Sequence, residues 1–394
     1  MKKPFRLGLF GQILIAIGCG VGLGFLCMHG GGAGDVCVRV LKTFNALFSQ
    51  LLKFIVPLLI FGLVIPAIAD VGKGAGKMLL AVMVASYCST VVAGFFGYFC
   101  ASELLPHYIA QGAMASAGNG KVFEPFFNIK IPPLCDVLTA LAIAFMVGVG
   151  IVFTGAEHLR RSANDFGAIV KLTIMKVIIP GLPVYIFTMI CEMTASGKFG
   201  ATAGTMCKVI GTGWGLTICY LFVIYSLAGA IARRHPLKCL WNMVSAYFTG
   251  LSIASSPAII PVTLERCRKN GISDDIRNFV VPLCANVHMP GSAVKLLTSF
   301  VSISIIYGQT FDFALVVNFI LMMAIAAVAA PGVMGGVLMA SMGLLDSILG
   351  FTPEQTALLA TFYLALDGYG PATNVTSDGA IALMADRWFG KRDF

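Results

Sequence analysis

Nine apolar runs, near residues 8–28, 39–69, 76–101, 135–155, 166–194, 205–232, 276–307, 312–350 and 353–384, occupy most of this 394-residue chain. Most of them exceed the roughly 20 residues that an α-helix needs to cross a bilayer. With 58% hydrophobic and 11% charged residues and a mean hydropathy of +0.89, the chain has too little polar surface for a soluble globule. It reads as an all-α integral membrane protein. Several runs are too long for one upright crossing, which predicts tilted or broken, re-entrant helices.

The net charge of +9 does not point to nucleic acid, because the basic residues sit in short loops between apolar runs. There they act as orientation signals. Lys2, Lys3 and Arg6 precede a long run without a cleavage site, so the first helix is expected to stay in place. Lys73 and Lys77, Arg160 and Arg161, Arg233 and Arg234 with Lys238, and Arg387, Lys391 and Arg392 then mark the cytoplasmic side. This order predicts eight spans in the cell (inner) membrane, both termini cytoplasmic, and an extracytoplasmic connection over 102–134.

The basic loop Glu265-Arg266-Cys267-Arg268-Lys269 lies only about 27 residues beyond Lys238 and also belongs inside. The segment between them must therefore enter and return, breaking at Ser252-Ile253-Ala254-Ser255-Ser256-Pro257, where proline and small hydroxyl residues interrupt the helix. The same logic makes 312–350 a second hairpin, entering from the opposite side and broken at Ala330-Pro331-Gly332. Two opposed hairpins, each followed by a helix with polar residues, form an inverted pair whose tips meet near the midplane. The twelve cysteines are scattered, with no CxxC pair, and read as small hydrophobes.

The last run carries Asp367, Asn374 and Asp378. On one continuous helix the offsets of seven and eleven place all three within an arc of about 40°. Because a carboxylate at mid-bilayer costs about 2.5–3.5 kcal/mol, this face predicts a cavity or a bound cation. Pro371 cannot donate to the Asp367 carbonyl, and Gly368 and Gly370 loosen the same turn. Oxygens freed in a broken helix suit a hard cation such as Na⁺.

The segment Asn286-Val287-His288-Met289-Pro290-Gly291-Ser292-Ala293 is similar, from His288 to Ser292, to an NMDGT motif, and Asn374-Val375-Thr376-Ser377-Asp378 matches NVTGD. Ile260-Pro261-Val262-Thr263 through Gly271-Ile272-Ser273 resembles the exit of a first hairpin. Together these resemble the dicarboxylate/amino acid:cation symporters, the glutamate transporter family. The resemblance implies eight helices, two hairpins, a homotrimer and an elevator-like motion. It implies a scaffold from 1–75 and 135–204, and a moving domain from 76–101 and 205–394. It also implies substrate contacts at Asp367 (ammonium), Asn374 (α-carboxylate), Ser255, Ser256, Ser292 and Gly370, with Pro331 and Gly332 as the gate. Cation contacts are implied at Asp378, Asn374, Tyr87, Thr90 and His288.

The chain departs from that pattern in four places. Acidic-substrate members carry an arginine three residues after the substrate aspartate; here Gly370 stands there, which removes a bidentate carboxylate partner and leaves space for a neutral side chain. Ala254 replaces another arginine found in some members. The motif aspartate that ligates sodium is Pro290, and the motif asparagine is His288. Lys295, the lone Lys or Arg between 278 and 386, would share a helical face with His288 and pair with Asp367 or Asp378.

Either Lys295 stands in for a cation, or His288 titrates and protons enter the coupling, or Lys295 restores an acidic-substrate site; in the remaining reading it snorkels and His288 bonds a backbone carbonyl. The leading expectation is a symporter for a neutral amino acid driven by Na⁺ or H⁺, with no other cofactor and membrane lipid as its surroundings. Glutamate, aspartate or C4-dicarboxylates are the runner-up substrates, and an ion channel is the alternative from another class. No GxSxG or HExxH string supports an enzyme.

Overall fold

The computed structural model of the protein describes residues 9–72, 77–112, 123–135, 137–197, 199–253, 255–328, 330, 335–365 and 368–390. All regular structure among the described residues is helical. Helix α1 (Leu9–His29) turns at Gly31 into α2 (Gly31–Gly72), which at 42 residues and roughly 63 Å is twice the hydrocarbon thickness. Helix α3 (Lys77–Leu104) ends in a 3₁₀ turn, and α4 (Val137–Thr154) follows the connection. Helix α5 (Glu157–Thr173) runs through a π-turn at Ile174–Ile178 into α6 (Ile179–Ala195). The π-turn sits where Pro180 withholds an amide from the ladder.

These helices other than α3 make one packed group: α1 lies along α6, and α2 packs on α4, α5 and α6. Small residues make the close approach possible. A Cβ at Gly24 would stand 2.7 Å from the Cys191 carbonyl oxygen.

The second group follows α7 (Phe199–Ala232). Helices α8 (Pro236–Ile253) and α9 (Ser256–Lys269) pack on each other; Ser255, ahead of α9, is extended, and Pro257 lies in the first turn of α9. Helices α10 (Asp274–Val287) and α11 (Pro290–Tyr307) come next. Helices α12 (Phe313–Val328) and α13 (Gly336–Ser347) form a second packed pair, with Ala330 buried between them. Helix α14 (Pro353–Leu364) starts in a capping box made by Thr352 and Gln355, and α15 (Tyr369–Phe389) ends the fold.

Helix α15 is the hub. It packs on α7, α8, α9, α10, α11 and α3, and every residue from Tyr369 to Ala385 is buried. Helix α3 lies along α11, so it joins this group rather than the first. The groups meet where α13 leans on α2 and α4.

Helices end at Ile253 and Val328, just ahead of the interruptions expected at 254–257 and 330–332; Ala254, Pro331 and Gly332 lie outside the described residues. The last apolar run, expected as one segment, contains two helices, α14 ending at Leu364 and α15 starting at Tyr369; Asp367, which the expected arc includes, lies outside the described residues. The backbone crowding at the break gives a reason, since a Cβ at Gly368 would lie 2.4 Å from the Leu251 carbonyl oxygen of α8. A side chain there would push α8 away. Segments Gly11–His29, Lys77–His107, Glu157–Ala195, Gly204–Ala232 and Asp274–Tyr307 are each long and apolar enough to cross a membrane.

Candidate functional site

The chain between α10 and α11 leaves helical geometry at His288 (φ −104°, ψ 102°) and restarts at Pro290. Proline is suited to the first helical position because its missing amide would have no partner there. The next amides still need acceptors. They find one on a different helix: the Asn374 Oδ1 of α15 accepts from the amides of Gly291 at 2.8 Å and Ser292 at 3.3 Å. Its Nδ2 donates to the Ser292 hydroxyl at 3.0 Å and toward the Met289 sulfur at 3.2 Å. Asn374 thus caps α11 from outside, and Thr90 of α3 accepts the Met289 amide at 3.3 Å.

Because the helix breaks at His288, that residue and Lys295 do not share a helical face, and the expectation from their spacing fails. His288 turns instead to Asp378. Its Nδ1 lies 2.9 Å from Asp378 Oδ1, its Nε2 lies 2.8 Å from the Ser89 hydroxyl, and Ser89 meets the Tyr220 hydroxyl at 2.9 Å. His288 and Asp378 are fully buried. Sequence reasoning missed Ser89 and Tyr220, since no local pattern links positions so far apart.

A buried carboxylate costs about 2.5–3.5 kcal/mol in a bilayer, and one hydrogen bond to a charged group returns about 1.5–3 kcal/mol. The pair with His288 therefore nearly offsets the cost of one oxygen. The second oxygen, Asp378 Oδ2, is buried without a hydrogen-bond partner among the described residues. That oxygen has the hardness and charge to take a cation. Among the other residues expected to bind cations, Thr90 donates to the Ser86 carbonyl at 2.9 Å, and Tyr87 reaches the Leu321 carbonyl of α12 at 3.4 Å.

The second break, between α14 and α15, stands beside the first. A Cβ at Gly291 would meet the Gly370 carbonyl oxygen at 2.5 Å, so the two broken backbones touch. The space expected at Gly370 is not empty. A Cβ there would lie 3.4 Å from Ser292 Oγ and 3.5 Å from Lys295 Cδ. Lys295, fully buried on α11, fills it from the opposite side.

The Lys295 ammonium stands 3.8 Å from the Tyr363 ring centroid and 5.1 Å from that of Tyr369. Two desolvated cation–π contacts, each worth up to about 2 kcal/mol, make a full burial of lysine tolerable. Neither tyrosine was singled out by sequence. Asp367, Pro331, Gly332 and Ala254 lie outside the described residues. Ser255 and Ser256 stand at the start of α9, which packs on α15.

The structure thus gathers His288, Ser292, Lys295, Gly370, Asn374 and Asp378 around two adjoining helix breaks, with Thr90 at one edge. One family model, described as the sodium:dicarboxylate symporter family, matches residues 9–388.

Proposed function

The chain belongs to the sodium:dicarboxylate symporter family, and on that premise we propose that it is a secondary active symporter for a small solute bearing two carboxylates, an acidic amino acid or a dicarboxylate. The carrying observation is the 3.5 Å separation between Lys295 Cδ and the Cβ position of residue 370. On this reading the cationic side chain on α11, packed against position 370, does the work of the guanidinium that acidic-substrate relatives carry there. This reverses the order of the two sequence readings, whose preference for neutral substrates rested on that space being empty.

In this reading the amide-rich start of α11 and the Asn374 side chain receive one carboxylate at a half-helix end. Lys295 receives the other, leaving the tyrosine rings for a stronger partner. The α8/α9 and α12/α13 pairs act as re-entrant hairpins of an eight-span, trimeric elevator, with the α12/α13 turn closing over the solute. The lean of α13 on α2 and α4 supports a state in which the outer hairpin rests on the scaffold.

Coupling runs through Asp378. Its unpartnered Oδ2 takes one cation, Na⁺, whereas the His288 imidazole fills the place of a second by bridging Asp378 and Ser89. Cation binding favours the closed hairpin, and differential affinity for open and closed states drives the cycle.

One observation favours a second reading. The aromatic cage already accommodates the Lys295 ammonium, so lysine can serve as a fixed internal cation beside a neutral amino acid. Competitive uptake into proteoliposomes, with labelled acidic and neutral solutes under separate Na⁺ and H⁺ gradients, separates the two. Dominance of a neutral amino acid overturns the acidic-substrate proposal; saturable uptake of neither class overturns symport itself.

A further inference from the structure

A groove of about 440 Å³ runs between α7 and α8, on the side of α15 turned away from the polar network, and it is independent of the substrate reading. Leu221 and Phe222 of α7 form one wall, and Trp241, Val244 and Phe248 of α8 form the other. Trp241 is 76% exposed and Phe248 62% exposed. The lining presents almost no polar surface, so it offers a peptide backbone nothing to bond. A hydrocarbon chain needs no such partner.

The wall residues on α8, from Leu237 to Phe248, extend over roughly 16 Å of helix. That length and the volume suit one extended chain better than a compact side chain. At the Leu237 end the character changes: Arg233, His235 and Lys238 are exposed there. Arg234 is already committed, with its guanidinium on the carbonyls of Asn270 and Gly271 and near Asp386. Apolar length ending in free-standing positive charge matches a phospholipid with an anionic headgroup.

We propose that this groove binds one acyl chain of an anionic phospholipid, with Arg233 and Lys238 holding the phosphate. The chain would lie on Thr376, whose hydroxyl is buried without a hydrogen-bond partner among the described residues and which stands between Asn374 and Asp378 in sequence. Lipid composition would then reach the transport helix from behind, by setting how tightly the first helix pair packs on α15.

Tryptophan quenching tests the proposal. The Trp214→Phe/Trp388→Phe protein keeps Trp241 as its single fluorophore and is placed in phosphatidylcholine vesicles containing rising fractions of phosphatidylglycerol with brominated chains. Saturable quenching at low phosphatidylglycerol fraction is expected, with the midpoint rising about fivefold for each of Arg233→Gln and Lys238→Gln. The Trp214→Phe/Trp241→Phe protein, whose remaining Trp388 does not line the groove, should lose the saturable component. Equal quenching by brominated phosphatidylcholine means bulk lipid only and overturns the proposal, as does absence of quenching by either lipid, which means that another protein surface covers the groove.

Discussion

The two helix breaks at the centre of the molecule solve the same problem by different chemistry. Between α10 and α11, neutral hydrogen bonds from Asn374 and Thr90 satisfy the exposed amides. Between α14 and α15, the space beside Gly370 is filled by a fully buried lysine held over two tyrosine rings. A break sealed by neutral bonds is stable as it stands. The second carries a buried cationic side chain, so on the proposed function the first break serves structure and coupling and the second serves recognition of charge.

The harshest test of this division is Asp378→Ala. Removing one partner of a buried pair costs about 3–5 kcal/mol, and we expect cation-dependent uptake to vanish in proteoliposomes while thermal unfolding shifts down. Normal uptake with intact cation dependence would remove Asp378 from the coupling scheme. Next comes Asn374→Ala, which uncaps two amides of α11 and should cost about 3 kcal/mol. Asn374→Asp keeps an acceptor and should recover more than half of that loss in a melting experiment; equal losses would show that capping is not its main contribution.

Lys295→Met should act on selectivity more than on stability, because replacing a buried charge by an apolar group of similar length is often neutral. The expected effect is a drop of about thirtyfold in affinity for an acidic solute relative to its neutral analogue, from losing one charge-assisted hydrogen bond of roughly 2 kcal/mol. Unchanged relative affinity in competition assays would assign Lys295 to the neutral reading. The smallest effect belongs to Gly370→Ala, whose added methyl meets Ser292 Oγ at 3.4 Å, Lys295 Cδ at 3.5 Å and Ser292 Cα at 3.7 Å, all at ordinary contact distance. Stability should fall by less than about 1 kcal/mol, and a collapse of the fold would mean that the second break is as rigid as the first.

Much of this was legible from the chain. The apolar runs announced a membrane protein, and Pro257 and the Ala330-Pro331-Gly332 string marked interruptions where helices do end. The motif strings at 286–293 and 374–378 pointed to segments that the structure brings into hydrogen-bond contact. The failures have a common physical source. Counting positions assumes an unbroken helix, and His288 and Lys295 were related across a break. Partners such as Ser89, Tyr220, Tyr363 and Tyr369 come from other helices, and helical periodicity says nothing about which neighbour a face will meet. Lys295 itself was singled out in the sequence, but the rings it stands over, Tyr363 and Tyr369, were not.

The contact between Gly291 and the Gly370 carbonyl has a mechanical consequence. Two broken helices joined by a flexible gap could twist separately, letting one half-site open while the other stays loaded. Here the Gly370 carbonyl and the Thr373 side chain both bear on Gly291, and Asn374 pins the same junction from α15. The two breaks are therefore held as one part, so a load on either is carried by both, and on the proposed function the freedom needed for release resides in the helix pairs around them.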